Sequence, residues 1–343
     1  MKRIFIICVL LIASLKNNGQ SAENFLKLGD IKANKGDYTG AIADFTKAIK
    51  LNPKYADAYS NRGVAKNHLN DYNGAIADYN KAIEITPDFA IAYINRVITK
   101  NILLDYKSAI TDYNKAIELN PKIAEAYFNR GVSKGSLKGN FSNLNFSAAI
   151  YDFTKAIELN PKYAEAYYNR GVTKNSLEDY TGGINDYNKA IELNPKDAKA
   201  YYNRGLAKGI LEDYTGAIDD FTKAIEINTN YASSYSNRGV AKKNLNDYRG
   251  AIEDYNKAIE LNPKDYKAYY NRGLAKGILE NYKGAIDDFT KGIELNPKFA
   301  DAYYNRGFAM SKLNNKNAAC QDFSKARELG LQGNYDLINQ FCN

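Results

Sequence analysis

The stretch Ala198 to Thr229, AKAYYNRGLAKGILEDYTGAIDDFTKAIEINT, decides the fold. On both sides of its Glu212-Asp-Tyr-Thr-Gly216 turn, apolar residues recur three and four apart, which predicts two amphipathic helices folded into a hairpin. Working outward, the pattern returns along the whole chain, and proline marks its phase. Pro53, Pro87 and Pro121 are 34 residues apart, as are Pro161 and Pro195, and Pro263 and Pro297. Thr229 stands midway between Pro195 and Pro263, so all seven prolines share one phase. There proline closes the second helix, because it cannot continue one. The one slip, 40 residues from Pro121 to Pro161, marks a six-residue insertion near 139–144, read as a loop between the helices of the fourth copy.

Nine copies begin at Ala22, Ala56, Ala90, Ala124, Ala164, Ala198, Ala232, Tyr266 and Ala300 and end at 329. A use of 29 Tyr with no Trp and one His fits one short pattern copied many times. A lone hairpin cannot bury its apolar face, so the copies must stack and the stack must be capped. Residues 330–343 are read as a capping helix, with Leu337, Ile338 and Phe341 on the last pair and Asn334, Asp336 and Gln340 outward.

The 34-residue period resembles the tetratricopeptide repeat. So do Tyr201 at the fourth position, Gly205 at the eighth, Ala217 at the twentieth, Phe221 at the twenty-fourth, Ala224 at the twenty-seventh and the closing proline. The resemblance implies an all-α fold, a right-handed α-solenoid superhelix of nine hairpins whose first helices line a concave groove. Departures are Val97 for the eighth-position glycine, Gly183 for the twentieth-position alanine and Gly292 for the twenty-seventh. The third copy, with Val97, is expected to be the least regular.

Before the repeats, Lys2 and Arg3 precede an apolar run from Ile4 to Ala13, followed by Lys16 and small polar residues to Ala22. This reads as a secretory signal over 1–21 and predicts an exported protein, periplasmic or secreted. The run falls short of the ~20 residues a membrane span takes, so no span is expected in the mature chain. Removing the segment takes away Lys2, Arg3 and Lys16 and no acid, so the net charge falls from +8 to +5. Such a mild bias argues against nucleic acid as the partner.

Recurrence between copies then singles out candidate residues. Asparagine fills the sixth position in eight copies: Asn61, Asn95, Asn129, Asn169, Asn203, Asn237, Asn271 and Asn305. Asparagine is a poor helix former, so eight mid-helix occurrences call for a reason. The resemblance places this position in the groove, where such a ladder holds an extended peptide by its backbone; a carboxamide can match any peptide unit. Bracing between copies, or simple inheritance with the duplicated unit, are the alternatives. The fifth position brings Tyr168, Tyr202, Tyr270 and Tyr304 alongside, with Phe128, Ser60 and Ser236 elsewhere, and the ninth is apolar from Val64 to Phe308. The carboxylate clamp of chaperone-binding members wants lysine at the fifth position and asparagine at the ninth, and both are missing.

Arginine follows at the seventh position in the same eight copies, and aspartate fills the twenty-third in all nine. In an antiparallel hairpin these levels coincide, which predicts structural ion pairs such as Arg62–Asp78, Arg204–Asp220 and Arg272–Asp288. The first copy, with Leu28 in place of arginine, leaves Asp44 as an unpaired exception. Lysines at the eleventh and twenty-sixth positions read as solvated edges, or as a basic stripe for an anionic polymer.

An active site is singular and this sequence is periodic. It offers no phosphate loop, metal-ligand cluster or nucleophile elbow, so no catalytic residue, metal or cofactor is expected. His68 reads as a groove-side surface residue. Cys320, where other copies have isoleucine, and Cys342 in the cap can close a disulfide in an oxidising compartment, or pack as two small hydrophobes. The functional expectation is a non-catalytic scaffold that binds another protein or peptide in its groove. Its rival is an assembly scaffold working through its convex face or edges.

Overall fold

The computed structural model describes residues 21–137, 142–332, 338, 341 and 342. Residues 1–20 of the signal expected over 1–21 lie outside the described residues, as do Asn334, Asp336, Leu337 and Gln340 of the cap. The described residues form eighteen helices and no strand. None of these helices is long and apolar enough to cross a membrane.

The chain divides into two compact units, one up to Thr173 and one from Lys174. The first contains α1 (Ala22–Asn34), α2 (Tyr38–Leu51), α3 (Ala56–His68), α4 (Tyr72–Ile85), α5 (Ala90–Ile102), α6 (Tyr106–Leu119), α7 (Ala124–Ser136), α8 (Ser142–Leu159) and most of α9 (Ala164–Ser176). The second continues with α10 (Tyr180–Leu193), α11 (Ala198–Ile210), α12 (Tyr214–Ile227), α13 (Ala232–Asn244), α14 (Tyr248–Leu261), α15 (Tyr266–Ile278), α16 (Tyr282–Leu295), α17 (Ala300–Lys312) and α18 (Lys316–Glu328). Within each unit the two helices of a copy pair, and the second packs on the first helix of the next copy.

Among the described residues, the hairpins of every copy but the fourth turn through one residue in the left-handed region. Among these eight, the first copy uses glycine there, Gly36 at φ 81°. Asn70, Leu104, Glu178, Glu212, Asn246, Glu280 and Asn314 hold φ between 59° and 63° without it. The following residue caps the second helix: the Asp213 carboxylate accepts from the Gly216 amide at 2.9 Å, and Asp37, Asp71, Asp105, Asp179, Asp247, Asn281 and Asn315 do the same.

Small residues stand where helices cross. Ala200, Ala217 and Ala224 are fully buried, and a Cβ on Gly205 would lie 2.9 Å from the Phe221 ring. Val97 meets that crossing in the third copy, where α5 packs less closely on α6 and on α4 than the matching helices of other copies do, so this copy is the least regular. Val97 is fully buried with Ala109, Tyr113 and Ala126, and α5 and α6 keep the 13 and 14 residues of the other copies. The insertion differs from a plain loop. Residues 138–141 lie outside the described residues, but from Ser142 the chain is helical, so α8 has 18 residues where other second helices have 13 or 14.

The twenty-third-position aspartates are between 0% and 6% exposed in all nine copies, so their charges must be met inside. Arg204 donates Nε to Asp220 Oδ2 at 2.9 Å, and Lys208 Nζ reaches the same oxygen at 2.9 Å. Arg62, Arg96, Arg130, Arg238 and Arg272, with Lys66, Lys100, Lys134, Lys242 and Lys276, repeat the arrangement. The eleventh-position lysines are therefore not solvated edges; their Nζ atoms are drawn in as the second cation on a buried carboxylate. Nor is Asp44 unpaired, since Lys32 and Lys47 both bind it. Burial pushes its carboxyl up, but hydrogen bonds from these lysines outweigh that and hold it below the usual carboxylate range. Apart from Lys47, the twenty-sixth-position lysines do stay outside, each paired with the glutamate three residues on, as Lys223 is with Glu226 at 2.7 Å.

The same arginines tie copy to copy. Arg204 Nη1 donates to Asn188 Oδ1 of the preceding copy at 2.7 Å, and Arg62 to Thr46 at 3.1 Å. Each guanidinium also stacks on the fourth-position ring, 5.4 Å from the centroid for Arg204 and Tyr201. At the far end Cys320 and Cys342 form a disulfide with Cα atoms 5.7 Å apart, joining α18 to the cap.

Two stability measurements follow from this arrangement. Leu104 is 69% exposed at φ 59°, so Leu104→Gly removes strain without removing a contact and should raise stability by about 0.5–1 kcal/mol. Arg272→Ala leaves the buried Asp288 carboxylate with Lys276 alone and should cost about 3 kcal/mol, read from the urea midpoint. Glu294→Ala, which breaks only the exposed pair with Lys291, should leave that midpoint in place.

Candidate functional site

The sixth-position asparagines are all half-buried on the first helices. Asn129 and Asn169 donate Nδ2 to the carbonyls of Glu125 and Glu165, one turn back, at 2.9 and 2.8 Å. Asn237 and Asn305 do the same to Ser233 and Asp301, and also reach the hydroxyls of Tyr202 and Tyr270 in the preceding copy at 3.2 and 3.1 Å. Asn61 donates to Asp30 at 2.8 Å and Asn95 to Ser60 at 3.5 Å, again one copy back. Part of the ladder therefore braces neighbouring copies. In these six residues Nδ2 is engaged within the protein while the carboxamide oxygen is left as an acceptor.

The fifth-position tyrosines pack on aromatic rings of their own copy as much as they line the face. Tyr202 lies 4.9 Å from the Tyr231 ring and Tyr270 4.7 Å from Phe299, centroid to centroid. Tyr304 meets Phe323 at 5.5 Å. Burial pushes the Tyr202 phenol up against hydrogen bonds from Ser233 and Asn237, and lifts Tyr270 to about 12. His68, exposed on the same helix set, stacks on Tyr38 with ring centroids 4.3 Å apart.

Between these rows, a pairing of the twelfth and twenty-fourth positions shapes the surface. Where the twenty-fourth residue is tyrosine (Tyr79, Tyr113, Tyr187, Tyr255), the twelfth is Asn67, Asn101, Asn175 or Lys243. Where it is phenylalanine (Phe45, Phe153, Phe221, Phe289, Phe323), the twelfth is Ala33, Gly135, Gly209, Gly277 or Ser311. The cause is satisfaction of a buried hydroxyl: Asn101 donates to Tyr113 at 3.0 Å and Asn175 to Tyr187 at 3.2 Å. Phenylalanine has no hydroxyl to serve, so the twelfth residue can shrink and leave space. A Cβ on Gly209 or Gly277 would meet nothing nearer than an alanine Cβ at 3.9 Å.

Pockets open at copies of the small-residue kind. Gly209, Leu206, Ile210, Tyr214 and Phe221 wall one of about 230 Å³, closed by Asn237, Val240 and Asn244 of the next copy. Gly277, Leu274, Ile278, Tyr282 and Phe289 wall a second of about 190 Å³, closed by Asn305 and Phe308. A third of about 440 Å³ lies between the first two copies, with Asp30, Ala33, Phe45, Asn61 and Val64. Each carries a ladder asparagine at its rim. Ile210, Ile278 and Phe308 are 57%, 53% and 48% exposed there, which marks these walls as uncovered apolar surface. Reading copies for what they share finds the asparagines and misses the pockets, whose signal is what varies in step.

The seventh copy breaks the pairing. Lys243 replaces asparagine, and the Tyr255 hydroxyl, fully buried, has no partner. No group of three His, Cys, Asp or Glu that could hold a metal occurs among the described residues.

Comparison with known proteins agrees with this architecture. A family model described as TPR repeat matches residues 29–67, 105–136, 145–177 and 174–209. Models described as tetratricopeptide repeat match 56–89, 198–231, 232–265, 266–299 and 289–321. No protein of curated function matches the sequence. Among solved structures, the C-terminal part of a TPR repeat-containing protein from Cytophaga hutchinsonii has a TM-score of 0.60 at 20% identity, covering 71% of this chain and 97% of that one. A tetratricopeptide repeat protein from Parabacteroides merdae has 0.53 at 23%, covering 74% and 97%. YrrB, described as a TPR protein with an unusual peptide-binding site, has 0.49 at 28%, covering 55% and 97%. At these identities the first two show the fold alone. With nine helix hairpins that repeat every 34 residues apart from one insertion, and repeat models running over most of 29–321, the chain belongs to the tetratricopeptide repeat family.

Proposed function

We propose that this is a non-catalytic scaffold that holds an extended segment of another protein along its first-helix face. The observation that carries the reading is the row of carboxamide oxygens. The nitrogen of each braced asparagine is already used within the protein, so the side chain is fixed and its oxygen offers a pre-set acceptor to a peptide N–H. Pre-setting matters because no ordering of the asparagine is needed on binding. Four such bonds at ~0.5–1.5 kcal/mol each, set against the cost of association, correspond to micromolar binding before apolar contacts add to it.

A second reading has its own observation. Leu69, Leu103, Leu211, Leu245, Leu279 and Leu313, at the hairpin turns, are 41–47% exposed. That row of leucines suits an assembly scaffold working through its edge. The eleventh-position lysines, held on buried aspartates, offer little to an anionic polymer.

We also propose that the protein is exported, with Ile4 to Ala13 as the apolar part of a cleaved signal. The Cys320–Cys342 bond suits an oxidising compartment. Intact mass of protein isolated from its host should begin at Ala22 or Glu23; a chain that retains residues 1–20 would defeat the cleavage reading.

The groove is tested by affinity capture from an envelope extract with residues 22–343 as bait. Wild type is run beside a variant with Asn129, Asn169, Asn271 and Asn305 changed to alanine, its helicity checked by circular dichroism. The expected result is a partner captured by wild type and lost by the folded variant. Equal capture by both would move the site to the leucine edge.

A further inference from the structure

The first helices of copies six to eight, α11, α13 and α15, differ from their neighbours in charge. They contain no acid, whereas Asp57, Glu125, Glu165 and Asp301 stand at the second position of α3, α7, α9 and α17. Their arginines and eleventh-position lysines are spent on Asp220, Asp254 and Asp288. What remains is Lys199, Lys243 and Lys267, and Lys243 is the half-buried one. Its ammonium makes no hydrogen bond or ion pair with any described residue. It occupies, in the copy between them, the position that Gly209 and Gly277 hold in the walls of the two apolar pockets.

We propose that this surface selects an extended segment in which an acidic side chain sits between two apolar ones. The apolar side chains enter the Gly209 and Gly277 pockets and the carboxylate meets Lys243. The proposal rests on the groove reading above and names its ligand. Burial lowers the Lys243 ammonium from its usual range, as expected for a cation held without a counter-charge; a carboxylate would supply one. A lysine in a row that elsewhere holds asparagine or a small residue leaves the Tyr255 hydroxyl unserved, so it is not there for the core.

The spacing follows from helix packing. α11 touches α13, and α13 touches α15. Touching helices lie ~8–10 Å apart, which puts pockets two copies apart at roughly 16–20 Å. An extended chain rises ~3.3 Å per residue, so the apolar side chains are about six residues apart with the acid midway.

The test is fluorescence anisotropy with a labelled heptapeptide carrying leucine first and seventh, glutamate fourth and serine elsewhere, against the same peptide with glutamine fourth. Wild type should bind the glutamate peptide about tenfold tighter, the order a charge-assisted hydrogen bond supplies. Lys243→Asn should erase that preference. Gly209→Asn and Gly277→Asn should each weaken both peptides several-fold while keeping it. Asparagine is the native residue at this position in copies two, three and five, so these exchanges borrow a side chain the fold already carries. Equal binding of the two peptides, a preference that survives Lys243→Asn, or no binding to wild type each overturns the proposal. If no peptide binds while capture still depends on the groove asparagines, the groove stands with a different ligand; if both fail, the groove reading falls too.

Discussion

The architecture depends on a carboxylate buried once per copy. An aspartate taken out of water is costly unless its oxygens are met in good geometry. Here arginine grips it from the facing helix, and lysine one turn further on completes the set. That geometry fixes the hairpin's register, since a slip by one residue would leave charge buried without a partner. Because the same guanidinium also reaches the second helix of the copy before, as Arg204 reaches Asn188 at 2.7 Å, it sets the spacing between copies too. Hairpin closure and stacking are thus one interaction. The last copy, with Met310 in place of lysine, keeps only the arginine on Asp322, and there the Cys320–Cys342 bond adds a covalent hold.

With register fixed in this way, the first-helix face is free to vary. The exchange of tyrosine with asparagine for phenylalanine with a small residue shows how. Tyr113 and Phe221 fill the same interior space, 1% and 2% exposed, so the core is indifferent to which is present. The surface is not. Beside Tyr113 and Tyr187 the twelfth residue is a donor that closes the face, while a phenylalanine releases that neighbour and opens it. The pattern of open and closed places along the chain is therefore written by a single hydroxyl per copy, at little cost to stability.

Much of this was legible in the residues. The prolines and the period give the helices, their pairing and the Arg–Asp contact, because those depend on what every copy shares. The eleventh-position lysines were misjudged because periodicity shows which face a residue is on but not how far a long side chain reaches inward. The left-handed turn residue was invisible because seven copies fill it without glycine, so no residue type announces it. Val97 loosens the third copy as its size predicts, since a branched side chain at a crossing built for glycine holds α5 off its neighbours. The pockets were hidden for a different reason. A space is made by an absent side chain, and glycine at the twelfth position means one thing beside phenylalanine and another beside tyrosine.

A copied sequence also changes how functional residues are to be recognised. Features that recur in every copy must first serve folding, because each copy has to fold against its neighbours. The asparagine ladder illustrates the overlap, since Asn61, Asn95, Asn237 and Asn305 brace the copy before through their nitrogens. Residues that break the period carry more information, once the core's reasons are removed. Val97 is explained by its burial with Ala109 and Tyr113, and the insertion by a longer α8. Lys243 has no such explanation: it is half-buried, meets no acid, and displaces the donor that a buried tyrosine elsewhere receives. A chain that meets each of its nine buried aspartates with a cation, and still sets one cation without an acid between two open pockets, has left that charge for something outside itself.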